Sequence, residues 1–210
     1  MKLKIKKNKY VRYSVGVDEV GRGPLAGPVT VAAFLMPISG KLGNKNLPKL
    51  RDSKKLSEKH RNEWSRYLRG KTDCGYAIAS FSAKKIDRLN ISRSANLCAE
   101  KVLLKLEEKT KIKNLHKKAN IYLDGGLYIG KKNSGIGKTV IKGDEKIKVI
   151  SAASILAKVH RDRLMDRYAT IFTSYNFHKN KGYGTKEHIA AIKIFGPTEI
   201  HRKTYIGNLI

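Results

Sequence analysis

Two short apolar, β-branched runs, residues 13–17 and 29–35, are separated by a connection carrying Gly21, Gly23, Pro24, Gly27 and Pro28. Such runs, bounded by Gly and Pro, read as strand, turn-rich connection, strand. No other stretch constrains the chain as much, because it opens the fold with neighbouring strands and leaves Asp18 and Glu19 where the first strand ends. Downstream, Ser57 caps a helix to Leu68 that buries Trp64, Tyr67 and Leu68 and stops at Gly70. Residues 74–81 read as a third strand, and Leu97, Val102, Leu103 and Leu106 recur at helical spacing between Ser92 and Lys109. Residues 120–123 form a strand ending at Asp124, and residues 140–142 a strand-like run ending at Gly143 and Asp144. Helical patterns over 151–171 and from Thr185 to Phe195 flank an aromatic, basic loop at 174–184, and 200–210 is a basic tail segment. Strands joined by turns, followed by strands alternating with helices, predict an α/β fold: a mixed central sheet flanked by helices, with a C-terminal helical segment.

What such a fold would bind follows from its charge. Forty-five Lys and Arg against 17 Asp and Glu give a net charge of +28 over 210 residues. A field of that size concentrates polyanions, of which nucleic acid is the commonest in a cell. No run approaches the roughly 18 apolar residues of a membrane span. The basic start, Met1-Lys-Leu-Lys-Ile-Lys-Lys, leads into no secretory apolar region, and Cys74 and Cys98 lack metal-ligand spacing, so a cytoplasmic protein is expected.

Two glycine-rich stretches resemble nucleotide loops and are rejected. The dinucleotide fingerprint must open a helix, whereas Gly27 is followed by Pro28 and the β-branched Val29-Thr30-Val31. Gly137-Lys138-Thr139 ends like a phosphate-binding loop, yet Lys132 stands where its first glycine belongs. His178, His188 and His201 have no cysteine partners and suggest no zinc. The productive pattern is acidic: Asp18, Glu19, Asp124 and Asp144 each lie at a strand end or in the turn just after it. In a polyanion-binding protein, converging carboxylates repel the ligand unless divalent cations lie between them, as in two-metal phosphodiesterases. Spacing alone favours four separately solvated turn acids.

The run Tyr13-Ser-Val-Gly-Val-Asp-Glu-Val-Gly-Arg-Gly-Pro-Leu-Ala-Gly-Pro-Val29 closely resembles the opening motif of ribonuclease HII, the type 2 ribonuclease H family. Further segments follow in the family's order: Asp52-Ser-Lys-Lys-Leu-Ser57, Tyr122-Leu-Asp-Gly125, Lys142-Gly-Asp144, Ser151 to Val159 with Arg161-Asp162, Lys181-Gly-Tyr-Gly-Thr185 and Gly196 to Arg202. Arg22 and the short stretch before Asp18 favour type 2 over the related type 3 proteins, which carry an extra N-terminal domain.

The resemblance implies a ribonuclease H-like fold, with a basic extension at 1–12 and one catalytic domain over 13–210. It implies hydrolysis of the RNA strand of RNA–DNA hybrids and incision 5′ of ribonucleotides embedded in duplex DNA. By position, Asp18, Glu19, Asp124 and Asp144 become the catalytic carboxylates that bind Mg²⁺ or Mn²⁺. Gly21, Arg22 and Gly23 would contact the ribose 2′-hydroxyl and adjoining phosphate. Tyr183 would pack on a sugar beside the RNA–DNA junction, and Lys54, Lys55 and Lys158 would bind phosphates. A monomer is expected; a sliding-clamp partner is not readable from the sequence. The alternative from another class is a noncatalytic basic RNA- or ribosome-binding protein, which would have no need of four acids set against its own ligand.

Overall fold

The computed structural model describes residues 11–50, 53–130 and 136–209. Most of the expected basic extension at 1–12, together with Asp52 and residues 131–135, lies outside the described residues. Five strands, β1 (Tyr13–Val20), β2 (Val29–Pro37), β3 (Gly75–Phe81), β4 (Ala119–Asp124) and β5 (Lys138–Val140), form one sheet in the order β3-β2-β1-β4-β5. The first three pair antiparallel, whereas β1, β4 and β5 run parallel, so the sheet is mixed as expected. Among the described residues nine α-helices accompany it: α1 (Glu58–Gly70), α2 (Ala83–Leu89), α3 (Ile91–Thr110), α4 (Leu115–Lys118), α5 (Gly143–Lys146), α6 (Lys148–Ile171), α7 (Phe177–Asn180), α8 (Lys186–Phe195) and α9 (Lys203–Ile206).

Strand alternation divides the core. Val15, Val17, Val31, Ala79 and Leu123 pack with Cys98, Val102 and Leu106 of α3 on one face. Ala32, Phe34 and Tyr122 pack with Ile150, Ala153 and Leu156 of α6, and with Trp64 and Leu68 of α1, on the other. β2, apolar except for Thr30 and buried along almost its whole length, is sandwiched between these layers. A third cluster, including Ala26, Met165, Tyr175, Phe177, Ile192 and Ile206, ties the C-terminal helical segment to the far end of α6. Gly16 explains how closely α6 lies on the sheet: a Cβ there would stand 2.1 Å from the main-chain carbonyl carbon of Val149.

Several boundaries differ from expectation, each for a local reason. β1 does not end before Asp18 but carries Asp18 and Glu19 within its ladder, opposite Ala32 and Val31. The short strand before Asp144 is residues 138–140 and not 140–142, because Lys142 adopts a left-handed conformation (φ 53°) that turns the chain into α5. α6 begins at Lys148 instead of Ser151, whose hydroxyl donates to the carbonyls of Asp144 and Ile147 and so sits inside the first turns. The loop at 174–184 contains α7, and the tail segment contains α9. Ser57 does cap α1, its hydroxyl accepting from His60 N–H.

Candidate active site

Asp18 and Asp124 come together because their strands are parallel neighbours. The β1–β4 register pairs Val17 with Leu123, so the two aspartates occupy the next positions on adjacent strands and turn toward the same face. Asp144 joins them from the first turn of α5. One carboxylate oxygen from each of the three lies within 4.8 Å of the others. Asp124 is oriented from behind: its Oδ1 accepts from the main-chain N–H of Gly143 at 2.7 Å and of Asp144 at 3.4 Å. Asp18 Oδ1 accepts from Glu19 N–H at 2.7 Å.

Burial, and then the charges of Glu19 and Asp124, raise the Asp18 carboxyl well above the usual carboxylate range, although hydrogen bonds from Ser154 and Glu19 N–H oppose this. Burial likewise raises Glu19, against the pull of Arg22. Burial and crowding of negative charge that penalise the ionised carboxyls are the electrostatic condition that a bound cation relieves. The donor set suits a hard divalent ion, since it offers only oxygens. Glu19 adds a second indication: its Oε1 is paired with Arg22 Nη1 at 2.9 Å, while its Oε2 is buried without a hydrogen-bond partner. A buried carboxylate oxygen left unsatisfied is costly unless something fills the gap.

A cleft of about 350 Å³ contains the four acids together with Gly21, Arg22, Gly23, Lys54, Lys158 and Tyr183. Of the expected site residues, Lys55 alone does not line it: its ammonium meets Glu145 at 2.8 Å, with the side chain about half exposed. Lys158 pairs with Asp162 at 2.8 Å along α6. The Arg22 side chain folds over Glu19 and reaches Ser92 Oγ at 3.3 Å. Gly21 and Gly23 are glycines for different reasons. Gly21 has φ +89°, and a Cβ there would stand 2.4 Å from Arg161 Nε, whereas a Cβ on Gly23 would meet nothing within 4 Å. Tyr183 is 43% exposed on a main chain fixed by bonds to Asn180 and Thr185.

Four further residues shape the cleft that the sequence reading gave no role. Ser53 and Ser154 line it beside Asp18, their hydroxyls 2.8 Å apart. Arg161 and Arg202 are fully buried beneath it. Arg161 donates to the carbonyls of Ala26, Pro28 and Lys181, and Arg202 to those of Gly21, Arg22 and Gly27. Burial, with the neighbouring Arg202 charge, pulls Arg161 down to about 10, and burial lowers Arg202 as well, yet a guanidinium keeps its proton in a protein. The signal for Arg161 was available: it continues the buried series Ala153, Ala157, Arg161, Met165 at four-residue spacing on α6.

Comparison with known proteins adds a consistent picture. A family model described as Ribonuclease HII matches residues 15–207. The ribonuclease HII of Clostridium perfringens strain SM101 is 42% identical over 199 residues, 95% of this chain and 68% of that one. Among solved structures, the ribonuclease H2 of Pyrococcus horikoshii superposes with a TM-score of 0.64 at 25% identity, covering 94% of this chain and 96% of that one. The structure of a PCNA:RNase HII complex from Archaeoglobus fulgidus gives a TM-score of 0.66 at 24% identity, with 93% and 96% covered.

Proposed function

Because the chain belongs to the ribonuclease HII family of ribonuclease H endonucleases, we propose that it cuts the RNA strand of RNA–DNA hybrids and incises duplex DNA 5′ of an embedded ribonucleotide. The observation that carries this reading is the convergence of Asp18, Asp124 and Asp144 oxygens within 4.8 Å, in the same cleft as the Gly21–Gly23 turn and Tyr183. A purely binding protein of charge +28 gains nothing by focusing negative charge in its binding cleft.

Asp18, Glu19, Asp124 and Asp144 are the residues that would hold a divalent cation, Mg²⁺ or Mn²⁺. When bound, such a cation supplies charge stabilisation at the phosphodiester and makes water a competent nucleophile near neutral pH. The remaining work falls to the protein. Lys54 and Lys158, which line the cleft, hold phosphates flanking the scissile one, with Lys55 beside them outside it. The main chain of Gly21, Arg22 and Gly23 approaches the ribose 2′-hydroxyl, the group that separates RNA from DNA. The Tyr183 ring packs on the sugar that follows the ribonucleotide. Water adds at phosphorus, the bond to the 3′-oxygen breaks and that oxygen takes up a proton, leaving 3′-hydroxyl and 5′-phosphate ends. All these groups come from one chain, which supports action as a monomer.

A duplex carrying one ribonucleotide, incubated with and without Mg²⁺ beside a uniform RNA–DNA hybrid, tests this. Cleavage of both that needs the cation is expected. Products ending in 2′,3′-cyclic phosphate would contradict the mechanism, since they require attack by the 2′-hydroxyl instead of water.

A further inference from the structure

The carboxylates and the residues assigned to junction reading share one cleft, and Arg22 pairs with Glu19, but they are held in place by different elements. The carboxylates stand on β1, β4 and α5. The loop after β1 and the loop holding Tyr183 are instead bonded to each other and to residues 198–205. Leu25 and Ala26 N–H both reach the Gly182 carbonyl, at 2.8 and 3.2 Å. Gly27 N–H donates to Ile200 and Arg202 N–H to Leu25, each at 2.8 Å. Arg202 then grips the turn itself, donating to the Arg22 carbonyl at 2.7 Å and the Gly21 carbonyl at 2.5 Å. The Tyr205 hydroxyl adds a bond to the Arg22 carbonyl at 3.1 Å.

A second set of bonds runs from the same segment to Tyr183. The Thr198 N–H points at His201 Nδ1, 2.9 Å away. A main-chain N–H can only donate, so His201 Nδ1 accepts and the neutral ring carries its proton on Nε2. That proton faces His188 Nε2 at 3.0 Å. His188 therefore accepts there, is protonated on Nδ1 and donates to the Tyr183 carbonyl at 2.8 Å. One main-chain N–H thus fixes the direction of every bond in the series. Both rings are buried beside Tyr175 and Phe177. Burial and the adjacent His188 push His201 down to about 4, which keeps the pair neutral at neutral pH.

Resting on the reading of the cleft given above, we propose that Arg202, Tyr205 and the His188–His201 pair are positioning residues that set the Gly21–Gly23 turn and Tyr183 relative to each other, and so govern how well the enzyme recognises an RNA–DNA junction. They touch neither the carboxylates nor the substrate. Their influence falls hardest on junction substrates, where the turn and the ring must act together, whereas a uniform hybrid offers the turn its 2′-hydroxyls but no junction for Tyr183 to meet.

The test compares kcat/KM on a single-ribonucleotide duplex and on a uniform hybrid, with Mg²⁺ affinity by calorimetry, for the parent, His188→Gln, His188→Asn, Tyr205→Phe and Tyr183→Ala. Glutamine reaches the place of Nε2 and keeps the contact with His201 but abandons Tyr183; asparagine reaches the place of Nδ1 and keeps a donor to Tyr183. One lost buried hydrogen bond corresponds to about tenfold, so His188→Gln should lower the junction-to-hybrid ratio about tenfold with Mg²⁺ affinity unchanged, and His188→Asn should retain most of it. Tyr205→Phe, which removes a hydroxyl and leaves the ring, should lower the ratio about threefold, and it carries the test if the buried histidine tolerates no change. If Tyr183→Ala lowers the ratio while Tyr205→Phe keeps the parental value, or while both His188 variants lose activity equally on the two substrates, the positioning role is wrong and the junction reading stands. A parental ratio in Tyr183→Ala would overturn both.

Discussion

Asp18 and Asp124 stand side by side on parallel strands, one position beyond the Val17–Leu123 pair, with their side chains on the same face of the sheet. Their proximity is therefore a property of backbone register, and it persists whether or not a cation is present. Replacing one charge should expose the electrostatic cost of this arrangement.

Asp18→Asn keeps the shape and the acceptor for Glu19 N–H while removing the charge. Cleavage in Mg²⁺ should fall by about three orders of magnitude or more, as the cation loses a ligand. In EDTA, however, the variant should melt higher than the parent. A carboxyl raised above its ordinary value holds its proton better in the folded state, so the parent loses stability as pH rises from about 4 through that raised value. The melting difference between variant and parent should widen from pH 5 to pH 7.5, at about 2–4 °C per kcal/mol for a chain of this size. A parent that is the more stable of the two in EDTA at pH 7.5 would contradict this account.

Cation binding should repair the same defect. Mg²⁺ or Mn²⁺ at a hundredfold excess over its dissociation constant should stabilise the parent by about 2.7 kcal/mol. Asp18→Asn should gain much less, as differential scanning calorimetry with and without the ion can check. Equal gains would move the ion elsewhere.

The two glycines flanking Arg22 separate folding from recognition. Gly21→Ala places a methyl 2.4 Å from Arg161 at φ +89°, and should cost on the order of 1–3 kcal/mol of stability. Gly23→Ala meets no protein atom within 4 Å, and should melt with the parent yet cleave a single-ribonucleotide duplex more slowly, because the added methyl would narrow the cleft that Gly23 lines. Circular dichroism melts alongside cleavage rates distinguish the two, and unimpaired cleavage by Gly23→Ala would remove that glycine from the binding surface.

Surface charge makes a separate forecast. Each phosphate neutralised on duplex DNA contributes about −0.9 to the slope of log affinity against log salt. A chain of charge +28 should therefore bind plain duplex with a steep negative slope, measurable by fluorescence anisotropy between 50 and 200 mM salt. A flat titration would show that the lysines do not face nucleic acid.

The sequence made some of this legible and hid the rest for identifiable reasons. The opening strands, the mixed sheet and the acids near strand ends could be read because Gly, Pro and β-branched residues punctuate them. Spacing could not show that Asp18 lies inside β1, because strand length is decided by pairing with β2 along its whole edge. Nor could it separate Lys54 from Lys55: they are adjacent in sequence and chemically identical, and the fold lines the cleft with one and sets the other against Glu145. Arg202 was hidden by composition, since among 45 basic residues nothing marks it as interior, whereas Arg161 is traceable through the buried four-residue series on α6. His188 and His201, 13 residues apart, show no relation until α8 folds back against the segment at 198–202.

The two interior arginines have a consequence for where the protein sits on a long nucleic acid. Mobile ions screen lysines at the surface, but they cannot enter the layer of carbonyls around Arg161 and Arg202. As ionic strength rises, the outer attraction fades while the least screened charges, the interior arginines and the cation that the carboxylates would hold, are the last to weaken. Salt should therefore thin out loosely held molecules along the duplex and leave contacts concentrated at the cleft, so that a footprint taken at higher salt is narrower and better centred than one taken at low salt.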